Sequence, residues 1–290
     1  MRILAPLIVY LLTSTSADAG IVSCYTLPDT VRQGRTLSVE AVFAQPPDMI
    51  GGEFLGKKIP FFQVDSLTYR ALIGIPVKLE PGLHEMIVRA SRETEAAGAQ
   101  PVSIESRLGV LVAHAEFEKD SIDLPSPAMS KLTSDNLARE GESIGSEFRT
   151  CSGRKMWRTS FIYPARGPIT TPFGSQRVYG DGRLSWHHKG VDIAAALGDS
   201  VRSCGEGTVI LCRDFVVHGK TVMIDHGQGV VSIYCHMNEI KAREGDILRK
   251  GDLIGTVGET GVSTGPHLHW GVSVGNVRVD PVEWVDRYVR

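Results

Sequence analysis

Gly261-Val262-Ser263-Thr264-Gly265-Pro266-His267-Leu268-His269-Trp270 decides how the C-terminal half of this chain is read. A turn rich in Gly, Ser, Thr and Pro runs into alternating, mostly bulky residues from His267 to Val274, the pattern of a strand. Side chains on a strand alternate faces with period two, so His267 and His269 point one way and Leu268 the other. Two imidazoles on one face can bind one metal together, or one can bind while the other works beside it. An isolated His-x-His equally suits a pair of surface histidines, because so short a pattern is weakly specific. The residues around it have to decide.

Upstream, Ser185-Trp186-His187-His188-Lys189-Gly190-Val191-Asp192-Ile193-Ala194 places His188 and Asp192 four apart. On a helix they would share a face, but Gly190 and the β-branched Val191 and Ile193 favour a loop entering a strand. Fully extended, they would stand roughly 13 Å apart at ~3.3 Å per residue. To share one ion the chain must bend, and Gly190 is the expected place. Further short strands read at Asp199 to Arg202, Thr208 to Cys212, Lys220 to Asp225 and Val230 to His236, each with Gly or Asp nearby to turn the chain.

Three pieces occur in order: His188-Lys189-Gly190-Val191-Asp192, Tyr234-Cys235-His236-Met237 and Gly261 to Trp270. Together they resemble the lysostaphin/LytM-type zinc metallopeptidases, which cut peptide bonds in bacterial peptidoglycan. The likeness covers about residues 161–285, with Thr171-Pro172-Phe173-Gly174, Gly251-Asp252-Leu253-Ile254-Gly255 and Asp280-Pro281 also in place. Cys235, Met237 and Trp270 depart from the residues usual in the family.

The resemblance implies that His188, Asp192 and His269 are metal ligands for one Zn2+ per chain. It implies that His236 and His267 flank the metal and are catalytic. The chemistry agrees: three N/O ligands leave a position open for water on zinc, whose pKa the ion lowers towards neutrality. No His-Glu-x-x-His is present, so the role of base falls to a histidine, unperturbed pKa ~6.5. The implied activity is that of a zinc metalloendopeptidase acting on peptidoglycan stem peptides. The alternative is a non-catalytic LytM-like regulator of other cell-wall hydrolases. Such a protein would be expected to lose the ligand residues kept here. The remaining histidines read as structural or exposed: His84, His114, His218 and His226, with His187 as a solvated loop residue.

The rest of the chain is less specific. It has 290 residues, 31 Lys+Arg against 33 Asp+Glu and 31 Gly, so nothing argues for nucleic acid, and many tight turns suit β structure. The expected fold is mainly β: an N-terminal immunoglobulin-like β-sandwich over 20–114, a linker with one helix over 115–160, and a C-terminal antiparallel β peptidase domain of LytM type over 161–290. In the first, Leu37, Val39, Ala41 and Phe43 alternate with Ser38, Glu40 and Val42, and Pro46-Pro47, Gly51-Gly52 and Pro81-Gly82 punctuate the strands. In the linker, Thr133 or Ser134 can cap a helix on which Leu137, Ile144 and Phe148 share a face.

Residues 1–19 carry Arg2, a short apolar run and Ala17-Asp18-Ala19, the pattern of a cleaved signal peptide. This places the protein in the periplasm or cell envelope, and no later stretch approaches the ~18 apolar residues of a transmembrane segment. Ile21-Val22-Ser23-Cys24 resembles a lipoprotein box, but the polar gap from Thr13 to Asp18 argues against acylation of Cys24. The N-terminal domain is expected either to hold the enzyme on the wall or on an envelope protein partner, the favoured role, or to lie across the metal groove and restrain cleavage until displaced. The five cysteines contain no Cys-x-x-Cys, and most of them read as small buried residues.

Overall fold

The computed structural model describes residues 20–93, 100–122, 124–148, 152–179, 184–287 and 289. The signal-peptide reading and Cys151 fall outside them. The chain divides into two compact units, Met1–Ala115 and Glu116–Arg290.

In the first unit, two β sheets close on one apolar core. The strand Thr36–Phe43 lies between Ile21–Leu27 and Thr68–Gly74. Its alternation sends Leu37, Val39, Ala41 and Phe43 inward to an exposure of 1% or less. They meet Met86, Val88, Val110 and Val112 of a long hairpin, Gly82–Arg92 with Val102–Ala113, in the second sheet. His84 is half-buried and bonds the Glu80 carbonyl.

The second unit is built on an eight-stranded sheet. Its central order is Val191–Ala194, His267–Val274, Val230–Met237, Gly219–Gly227, Gly207–Phe215, all antiparallel. Register decides which residues share a face, since partners across a ladder point the same way. Asp192 stands opposite His269, and Cys235 stands opposite His269 on the other side. Trp270 and Tyr234, paired with Val191 and with each other, face the opposite way into a closed core.

The segment expected as a linker belongs to the second unit. It holds a short helix, Ser126–Met129, besides the single one expected, Ser134–Glu147, which starts at Thr133, whose hydroxyl accepts from the Asn136 N–H at 3.2 Å. Ile144 and Phe148 pack on Leu211, Met223, Val231, Ile233 and Cys235, the ligand-bearing face of the sheet. Glu140 is 5% exposed. It accepts from the backbone N–H groups of Val217 and His218 at 2.7 and 3.0 Å and bonds His218 Nδ1 at 2.7 Å. Burial opposes its ionisation, but these bonds prevail and hold its pKa below the usual range. His218, expected to be exposed, is therefore held by the helix. Removing the carboxylate orphans buried donors, so Glu140→Ala should cost about 2–4 kcal/mol in denaturant unfolding. A fragment 155–290 should melt below a fragment 116–290 for the same reason.

His226 ends the strand Gly219–Gly227, fully buried. Nδ1 bonds the Glu206 carbonyl at 2.7 Å and Nε2 bonds Ser232 Oγ at 2.8 Å. Burial pushes its pKa down to about 4. Between the unfolded value near ~6.5 and the folded one, only the unfolded chain takes up the proton. Stability is therefore fully present above pH ~6.5 and falls with pH, by about 3 kcal/mol from this group. His226→Asn should flatten that part of a stability–pH curve relative to the unsubstituted protein.

Candidate metal centre

His188 sits where the chain bends between the strands Leu184–His187 and Val191–Ala194. The bend at Lys189-Gly190 does what the spacing demanded: it folds His188 back over Asp192, with His188 Nε2 and Asp192 Oδ1 3.1 Å apart. Gly190 is required there, because a Cβ would collide with the Trp270 carbonyl and the His269 ring. The turn Pro172–Ser175 pins the residue from the other side. The His188 N–H donates to the Ser175 carbonyl at 2.8 Å, and its carbonyl accepts from the Gly174 N–H at 2.9 Å. Gly174 has φ +81° with the Phe117 ring against it, so no side chain fits.

His188, Asp192 and His269 each offer one ligand atom, all within 4.8 Å of one another. His269 Nδ1 lies 2.9 Å from both His188 Nε2 and Asp192 Oδ1. Three donors about 3 Å apart can surround one ion at the ~2.0–2.1 Å of zinc–nitrogen and zinc–oxygen bonds. The outer contacts suit the purpose. His188 Nδ1 bonds the Pro172 carbonyl at 3.1 Å, so its proton belongs there and the Nε2 lone pair faces the other donors. Burial opposes ionisation of Asp192, but its contacts with the His188 and His269 rings outweigh it and hold the carboxyl well below the usual range. Burial drives the His269 pKa down, which keeps that ring a neutral ligand. The residues present therefore fit a divalent metal with a mixed His and carboxylate shell.

His236 and His267 stand beside this set. Their ring centroids are 4.9 Å apart, and His267 Nε2 is 3.9 Å from Asp192 Oδ1. Each has its Nδ1 engaged, by the Thr260 carbonyl for His236 and the Gly265 carbonyl for His267, both at 2.8 Å. In both rings Nε2 is left for chemistry. His236 has φ +61°, a costly conformation for a non-glycine residue and one that clusters at functional sites. Burial, then repulsion by His267, pushes its pKa down to about 3, so it is a neutral proton acceptor across the physiological range.

Arg177 was not anticipated. It lies on the strand Gln176–Tyr179, which pairs parallel with Lys119–Ile122 and antiparallel with Leu184–His187. Its guanidinium bonds Oδ2 of Asp192, leaving Oδ1 to the histidines. No local pattern distinguishes it in the sequence. His187 is not a solvated loop residue either: it ends a strand, bonds the Gly174 carbonyl at 2.8 Å through Nδ1 and lies edge-on to Phe117. The thiols of Cys24, Cys204 and Cys235 are buried and free, and burial pushes each up to about 12.

An open His, Asp, His donor set on an antiparallel sheet, flanked by two further histidines, marks the domain as metallopeptidase in type. Residues 186–281 match the model of Peptidase family M23, so the chain carries a domain of that family. It is 38% identical over 116 residues to the DD-carboxypeptidase/endopeptidase Mpg of Neisseria meningitidis serogroup B, covering 39% of this chain and 26% of that protein. It is 33% identical over 150 residues to the peptidoglycan DD-endopeptidase ShyB of Vibrio cholerae, covering 51% and 34%. The matched part thus spans only about a quarter to a third of these relatives. A solved structure described as a peptidase M23 from Pseudomonas aeruginosa is 28% identical, covers 84% of this chain and 89% of that one, and superposes with a TM-score of 0.60. The likeness of fold to that protein thus extends beyond the family-matched segment.

Proposed function

We propose that this protein is a zinc-dependent endopeptidase that hydrolyses peptide cross-links of bacterial peptidoglycan. The observation that carries the reading is the three-donor set beside two histidines whose Nε2 atoms are free. His188, Asp192 and His269 would hold one Zn2+. When bound, zinc supplies a water of lowered pKa and polarises the scissile carbonyl. His236 and His267 divide the remaining work: a neutral Nε2 takes the proton from the attacking water and returns one to the leaving amine, and a protonated ring stabilises the oxyanion. Arg177 holds the outer oxygen of Asp192 so that the inner one faces the ion.

The substrate class follows from the named relatives, a peptidoglycan DD-endopeptidase among them, and implies action in the envelope after export with removal of residues 1–19. Among the described residues no helix is long and apolar enough to cross a membrane. The N-terminal β domain would position the enzyme on the wall or on an envelope partner, raising local substrate concentration. The test is digestion of purified peptidoglycan, followed by mass analysis with and without chelator. Conversion of cross-linked to uncross-linked stem peptides, lost on chelation and restored by zinc, is the expected result. Unchanged peptidoglycan from a zinc-loaded protein would favour the non-catalytic regulator instead.

A further inference from the structure

A cavity of about 570 Å³ runs from His188, His236 and His269 along the sheet, with Lys189, Arg278 and Phe148 in its lining. Arg278 lies on the strand Val277–Val279, opposite Ser273 of His267–Val274. Residues two apart on a strand and partners across a ladder share a face. His269, Gly271, Ser273 and Arg278 therefore all lie on the ligand face. Gly271 leaves room for the guanidinium: a Cβ there would stand 3.4 Å from Arg278 Nη1. On the helix side the guanidinium lies over the Phe148 ring, 4.7 Å from its centroid.

Arg278 is short of a counter-charge. Nη1 is buried with no hydrogen-bond partner, and among the described residues no carboxylate pairs with Arg278 or with Lys189. Lys189 is near enough for the two cations to repel each other. Burial pushes the Arg278 guanidinium down to about 10, which still leaves it charged at neutral pH. Two neighbouring cations, one of them over an aromatic ring with a buried unpaired donor, are costly unless an anion arrives. A guanidinium is shaped to take a carboxylate in bidentate fashion.

We propose that Arg278, assisted by Lys189, forms a subsite for a carboxylate of the substrate peptide, within the groove that holds the metal centre. Gly271 is two residues from His269, about 7 Å along the strand, so the carboxylate lies about two residues from the scissile bond. This deepens the peptidase reading and rests on it for the identity of the ligand. A bound stem peptide is then held at two points, the metal centre and Arg278, and cross-links whose carboxylate is amidated are poor substrates.

The test uses the zinc-loaded full chain and two synthetic cross-linked peptides that differ only in a free carboxylate against a carboxamide. The unsubstituted protein should favour the carboxylate form by about 10–100-fold in kcat/KM, the range of a charged hydrogen bond, mainly through KM. Arg278→Gln should bring that ratio close to one, Arg278→Lys should keep part of it, and Lys189→Gln should lower it less. Absence of a preference in the unsubstituted protein, or a preference that survives Arg278→Gln, overturns the subsite. If Arg278→Gln does not fold, Arg278→Lys and Lys189→Gln decide by the same ratio. If neither peptide is hydrolysed, the peptidase reading fails separately, and calorimetric titration still judges the subsite. Tighter binding of the carboxylate peptide that Arg278→Gln abolishes, or that Lys189→Gln weakens where Arg278→Gln does not fold, supports it, and equal binding of the two peptides overturns it.

Discussion

Asp192→Ala should leave the protein without zinc and without hydrolytic activity. Asp192 Oδ1 is the point on which the site converges: His188 Nε2 and His269 Nδ1 approach it at 3.1 and 2.9 Å. Without it, two imidazoles remain, which supply neither the third bond nor the negative charge that offsets the ion. Arg177 would lose its partner as well, and an unpaired guanidinium next to a cation site repels the metal. The loss of affinity should exceed the ~10–100-fold typical of removing an outer partner. Metal content of the purified variant, measured by elemental mass spectrometry, is the direct check, with His188→Ala as its companion. Full zinc occupancy in both variants would refute the ligand assignment. Arg177→Gln should fall between, weakening zinc by about 10–100-fold while leaving the three donors in place.

His236→Ala and His267→Ala should retain zinc and lose turnover by about 10²–10⁴-fold, the range of a general acid–base group. The split between metal content and rate is what separates these two from the ligands. The geometry supports it, since each ring is tied through Nδ1 to a backbone carbonyl and presents Nε2 to the site. His236 is further constrained from behind. Its N–H donates to the His218 carbonyl at 3.0 Å, and His218 is clamped by Glu140 of the helix Ser134–Glu147. A variant that lost its zinc where the unsubstituted protein is loaded would mean that a ligand had been mistaken for a catalytic group.

The helix also shows where reading the sequence stopped short. Its start at Thr133 or Ser134 follows from local signals, and Ile144 and Phe148 follow from its period. Its destination does not. Leu211, Met223 and Ile233, the residues it covers, lie some 70–90 positions further along, and nothing in the helix names them. A buried Glu140 is equally invisible, because a glutamate on a helix reads as a solvated face until two backbone N–H groups are found pointing at it.

By itself the sequence determined that His267 and His269 share a face of a strand, and that His188 and Asp192 must be brought together by a bend at Gly190. Both conclusions rest on the period of the backbone and on the φ/ψ freedom of one residue, which are local properties. The tertiary structure alone decided that Asp192 stands opposite His269 across 77 residues. It also decided that Arg177 reaches Asp192 from a neighbouring strand, and that Arg278 faces a groove where no carboxylate among the described residues meets it. Pairing register and the sharing of buried charge depend on which distant segments exclude water together, and no window of sequence contains both partners.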